Sequence, residues 1–184
     1  MNMTDSKRDN IFFALVFLLF YIVSIAVVPH LGVRFEFLSF GNAITQSTVQ
    51  PDFLFALVLC TAILYSPRYA VIFGIIFGFI IDVTGGVPLF SSVCYCICGH
   101  YAYSMSVSFM GYGACNAVLV AFPLLITRFA VSSFYLLGTW HSLSFFDIMF
   151  GAVIPEYICN VLAVLIVYPL LKLLMRSFRI DSRN

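Results

Sequence analysis

Apolar residues run in long blocks along this chain of 184 residues, and polar positions gather at the block ends. Ten mostly polar residues, Lys7 and Arg8 among them, precede an unbroken apolar stretch over 11–28 that Pro29 closes. That length suits one bilayer crossing, and the apolar stretch is longer than the core of a cleaved signal, so it is expected to stay as an anchor. Residues 30–50 mix Arg34 and Glu36 with Phe35, Phe37, Leu38 and Phe40, which reads as an interfacial segment. Two shorter blocks follow at 53–65 and 70–81. A hairpin dipping into the bilayer would carry Arg68 toward its centre at a cost of about 2.5 to 3.5 kcal/mol, so both blocks are extended into crossings, 51–66 and 67–83. Gly85, Gly86 and Pro88 mark a turn. Three more crossings are expected at 89–107, 114–137 and 151–174, the first of them the most polar and the other two carrying Pro123, Pro155 and Pro169.

Composition narrows the class. Apolar residues make up 62% of the chain and charged residues 9%, against roughly 25% charged in a soluble domain. A water-soluble monomer is excluded, and continuous apolar runs favour helices over the alternating strands of a barrel. The expected fold class is an all-α integral membrane protein, one bundle of about six transmembrane helices over 11–174. A polar tail over 1–10 and a basic tail over 175–184 flank it. Counting basic residues by loop places Lys7, Arg8, Arg68, Lys172, Arg176, Arg179 and Arg183 on one side and Arg34 on the other, which predicts both termini in the cytoplasm. A net charge of +1 gives no reason to expect nucleic acid.

Candidate chemistry is sparse. Gly74 and Gly78 form a Gly-x-x-x-Gly pair that lets another backbone come close, either within the bundle or at a partner interface. Arg128 falls near the middle of the fifth expected crossing, where a permanent charge needs partners, and Asp82 and Glu156 lie at similar depth. An intramembrane charge cluster of Arg128, Glu156 and Asp82 is expected, serving mainly to set helix register. Cys94, Cys96, Cys98 and His100 recur at every second position, but on a helix only Cys94 and Cys98 share a face, so no metal site is expected. All six cysteines sit in apolar runs, where a thiol acts as a small hydrophobe. No phosphate-cradling loop, nucleophile elbow or zinc-protease motif is present, so neither catalysis nor a cofactor is expected.

Several of these residues recur together in a known pattern. Pro51 and Asp52 stand before an apolar helix, Tyr65, Ser66, Pro67 and Arg68 at a turn, then Gly74, Gly78 and Asp82, then Gly85, Gly86, Val87, Pro88 and Leu89. With Pro155, Tyr157, Asn160, Tyr168 and Pro169 near the C-terminus, this order and spacing resembles the rod shape-determining membrane protein MreD family. Phe90 stands where that family has a glycine after Pro-Leu. The resemblance implies a non-enzymatic component of the bacterial elongation machinery for cell-wall synthesis, in the cytoplasmic membrane. Its implied partners are MreC within the membrane and, directly or through MreC, a SEDS-type glycan polymerase, a class B penicillin-binding protein and the actin-like MreB.

The family's fold is similar to that of the substrate-binding S-component of energy-coupling-factor transporters, which supplies the alternative function: binding a vitamin or similar small solute. That class docks its energising partner through small residues four apart on the first helix, whereas Ala14 is followed by Leu18 here. A proton-coupled channel or transporter, resting on Arg128 and its carboxylates, is a third possibility.

Overall fold

The computed structural model describes residues 3–31, 33–38, 44–85, 90–108 and 154–180. Helix α1 covers Met3–Ala26 and is followed by a single turn, α2, at Val28–Leu31. Strands β1 (Val33–Leu38) and β2 (Ile44–Val49) pair antiparallel, with Val33 opposite Val49 and Leu38 opposite Ile44. Helices α3 (Phe53–Leu64), α4 (Pro67–Gly85) and α5 (Phe90–Ser108) come next, and α6 spans Ile154–Ser177.

Local chemistry explains where these helices begin. Asp52 caps α3 by accepting the Phe55 amide at 2.9 Å, the bond an N-cap carboxylate makes to the third helical residue. Ser66 does the same for α4, receiving the Arg68 amide at 3.3 Å, and Pro67 takes the first helical position, where its missing N–H costs nothing. Pro155 sits equally harmlessly in the first turn of α6. Pro169 lies inside α6, and the helix continues beyond it to Ser177.

Helix α3 is the hub. Every residue from Leu54 to Ala62 is buried, as is Leu64, and α1, α4, α5 and α6 all pack against it. Large apolar side chains on the other helices face outward instead: Ile11, Leu15, Leu18 and Ile22 on α1, Ile72, Ile76 and Phe79 on α4, Leu162, Ile166 and Leu173 on α6. Exposed apolar surface of this extent is costly in water and suits a lipid solvent.

The expectation of six crossings is corrected here. Among the described residues three helices are long and apolar enough to cross a bilayer, over Lys7–His30, Pro67–Thr84 and Ile154–Ser177. With 12 residues, α3 reaches about 18 Å against a hydrocarbon core of about 30 Å. Its caps at Asp52 and Tyr65 forbid the extension to 51–66, and protein on all sides removes any need to span lipid. Helix α5 has the length, but Ser91, Ser92, Gly99, His100 and Ser104 make it too polar to count as a span. The crossing expected at 114–137 lies outside the described residues. The fold is also not purely helical: within 30–50, where an interfacial segment was expected, the β1–β2 hairpin forms. Arg34-Phe35-Glu36-Phe37 alternates polar with apolar residues, the strand signal that the interfacial reading passed over.

Contacts gather the start of α1, the α3–α4 turn and the end of α6 at one end of the bundle. The Tyr65 hydroxyl donates to Asp9 Oδ2 at 2.5 Å, Phe13 packs on Tyr65 and Tyr69, and Phe12 meets Phe178 with ring centroids 5.1 Å apart. Arg8 Nε lies 3.6 Å from the other Asp9 oxygen. Burial, then the hydrogen bond to Asp9, pushes the Tyr65 phenol above its ordinary range. A raised native-state value means that the neutral phenol's contribution is complete below about pH 10 and is lost as pH climbs beyond it. Tyr65→Phe is expected to cost about 1 kcal/mol at neutral pH and to make the decline of melting temperature above about pH 10 shallower than in wild type. Melting curves in detergent across that range check both.

Candidate functional site

Two carboxylate joints beside α3 collect most of the residues singled out from the sequence. The first is built on Asp52. One of its oxygens caps α3, while the other accepts the Tyr95 hydroxyl of α5 at 2.8 Å. Its backbone N–H donates to Asn160 Oδ1 of α6 at 2.8 Å. Tyr95 and Asn160 are almost wholly buried, 1% and 2% exposed. Asn160 lies six residues into α6, so the joint is recessed about 9 Å below that helix's start. A chain entering a short helix at such depth must find protein partners for its polar groups, because lipid supplies none. Asp52, Tyr95 and Asn160 are those partners.

The second joint lies between α4 and α5. Asp82, 2% exposed, accepts the Ser91 amide through Oδ1 and the Ser92 amide through Oδ2, each at 3.0 Å, and the Ser92 hydroxyl at 3.1 Å. These amides belong to the first turn of α5, which has no intrahelical acceptors for them. A carboxylate on the preceding helix therefore caps the following one. Helix α4 itself runs on past Asp82 to Gly85.

Between the joints the two helices approach closely along one stripe. Gly74, Gly78 and Asp82 recur every four residues and so share a face of α4. A Cβ on Gly78 would stand 2.8 Å from both Cα and N of Ser92, and one on Gly74 would stand 3.2 Å from Tyr95 Cβ and 3.3 Å from Val58. From the α5 side, a Cβ on Gly99 would meet Val58 at 3.3 Å and Ala70 at 3.4 Å. The Gly-x-x-x-Gly pair thus packs α5 inside the bundle.

Other candidates fall elsewhere. Arg128, the cation expected to draw Asp82 and Glu156 together, lies outside the described residues, as do Gly86 and Pro88. Both Asp82 oxygens are engaged with α5, and Glu156 sits in the first turn of α6. Cys94 and Cys98 are buried, Cys96 is half-buried and His100 is exposed. Among the described residues no three His, Cys, Asp or Glu side chains group as metal ligands, and Cys60, Cys94, Cys96, Cys98 and Cys159 are not joined in disulfides. Arg68 is exposed at the α3–α4 turn.

Sequence reasoning missed Tyr95, Ser91 and Ser92, and it placed Asn160 without its role. Gly85, Gly86 and Pro88 signalled a turn ahead of this helix, but Ser91 and Ser92 lie within its first turn, past the N-cap position at which serine is a start signal. Tyr95 carried no such signal. What the joints can do chemically is hold helix ends: each carboxylate is saturated by N–H and O–H donors, an arrangement that fixes register. Asp52→Ala is expected to cost about 3 kcal/mol, from the lost cap and the stranded Tyr95 hydroxyl. Asp52→Asn, which keeps an acceptor, should lose less than half of that. Detergent unfolding curves of the two variants beside wild type provide the check.

Three long apolar helices with outward-facing apolar surface define the class: a multi-pass membrane protein. No family model, no curated protein and no solved structure matches the chain.

Proposed function

We infer that this chain is a non-enzymatic scaffold of a bacterial cell-wall elongation complex, seated in the cytoplasmic membrane with both termini inside, and that it grips the membrane helix of an MreC-type partner. The observation that carries this reading is the set of residues resembling the MreD pattern. Asp52, Ser66, Pro67, Gly74, Gly78, Asp82 and Asn160 all serve as caps, turns or close contacts between helices. Residues that fix helix positions are what a scaffold requires. The placement of α1's start beside α6's end, through Phe12 and Phe178, supports termini on one side. The reading rests on these motif residues and on an outward face of α4, not on the number of crossings.

That face comprises the exposed side chains of Ile72, Ile75, Ile76, Phe79 and Val83, beside the buried glycine stripe. A partner helix docking there would gain van der Waals packing against a surface already held rigid by α5. Helix α3 is buried from Leu54 to Ala62 and offers a partner no surface there. The test is in-cell photo-crosslinking from positions 72, 76 and 79, with buried position 58 as control. Capture of MreC from the outward positions and not from the control is the expected result. Recovery of lipid adducts alone, while the protein is folded and at the membrane, would remove the partner assignment.

A further inference from the structure

At the α1–α6 end of the bundle, one backbone feature is costlier than folding requires. Helix α6 closes with a Schellman turn: the Arg179 amide donates to Arg176 O at 3.1 Å, and the Ile180 amide to Met175 O at 2.9 Å. Buried Ile180 and Met175 complete the motif's apolar contact. The pivot residue, Arg179, has φ 53°, a left-handed conformation that glycine adopts without strain and a side chain with a Cβ does not. Glycine would preserve both hydrogen bonds and the Ile180 contact. The strained position is instead given to an exposed guanidinium, and strain retained at an exposed cation points to a task for that cation.

Its surroundings indicate the ligand. Arg176 and Arg179 flank Phe178, all three exposed, and Phe178 packs on Phe12 of α1. One turn before Phe12 lie exposed Lys7 and Arg8. Asp9, next to Arg8 in the chain, is buried, accepts from Tyr65 and has its other oxygen 3.6 Å from Arg8 Nε. Several cations around an exposed aromatic ring, at the ends of two membrane-crossing helices, match a phosphodiester at headgroup depth with its acyl chains alongside. Guanidinium groups fork onto phosphate oxygens, and the ring suits the boundary between headgroups and chains.

We propose that Arg176, Phe178 and Arg179 of α6, with Lys7 and Arg8 of α1, form a binding site for the phosphate of an anionic phospholipid. The test uses the full chain in nanodiscs of phosphatidylcholine alone or containing phosphatidylglycerol, read by melting temperature and by lipid retention in native mass spectrometry. Phosphatidylglycerol is expected to raise the melting temperature of wild type. Arg179→Gly is expected to melt no lower than wild type in phosphatidylcholine, because the strain is gone, yet to retain phosphatidylglycerol about fivefold less, the weight of one basic side chain at an anionic surface. Arg179→Lys should keep most of the retention, and Arg176→Gln, which leaves the turn untouched, should lose retention as Arg179→Gly does. Undiminished phosphatidylglycerol retention in Arg179→Gly and Arg176→Gln overturns the proposal. Reproduction of the full stabilisation by inorganic phosphate in phosphatidylcholine discs overturns the lipid assignment in favour of free phosphate.

Discussion

Asp82→Ala is expected to cost about 3 kcal/mol of stability, because it strands the Ser91 and Ser92 amides and the Ser92 hydroxyl in a buried place where water cannot replace the carboxylate. Bonds to a charged acceptor are stronger than neutral ones, and here they satisfy amides of the first turn of α5 that have no acceptor within their own helix. Asp82→Asn keeps one acceptor oxygen and should lose roughly half as much. Thermal unfolding of the three proteins in one mild detergent separates these values. An alanine variant that melts with wild type would show that the α4–α5 joint is held by packing alone, and the cap would then have no energetic role.

Gly78→Leu is expected to be worse still, with loss of the folded protein from detergent extracts, while Gly78→Ala should cost about 2 kcal/mol. The reason lies in what the new side chain would meet. Ser92 Cα and N, both 2.8 Å from the added Cβ, are backbone atoms and have no rotamer by which to retreat. Relief therefore requires α4 and α5 to separate, which lengthens the Asp82 bonds to the same turn. Because both substitutions act on one contact, Gly78→Ala and Asp82→Ala should combine to less than the sum of their separate costs. Gly74→Ala provides the contrast: its nearest neighbours are side-chain atoms of Tyr95 and Val58 at 3.2 and 3.3 Å, which can yield by a few tenths of an ångström. Unfolding titrations of the single and double variants measure the coupling.

Much of this arrangement was legible one element at a time. Pro51-Asp52 and Ser66-Pro67 announced helix starts because capping depends on residues three or fewer positions apart. The Gly74–Gly78 spacing announced a close approach without saying to what. Partners lay beyond reach: Asp52 meets Tyr95 across 43 positions and Asn160 across 108, separations at which no local pattern informs. The same locality explains the errors. Extending 53–65 to a crossing followed from asking each apolar block to span lipid by itself, whereas α3 is enclosed by four other helices. The charge cluster rested on helix depth alone, and its cation, Arg128, lies outside the described residues.

What the sequence determined alone is the solvent and the helix punctuation: a chain 62% apolar in continuous runs belongs in a membrane whatever its partners, and caps and prolines act within a turn of themselves. Only the tertiary structure decided which apolar blocks face lipid and which face protein. Both surroundings are equally free of water, so hydropathy cannot tell them apart, and the distinction rests on packing between segments far apart in the chain.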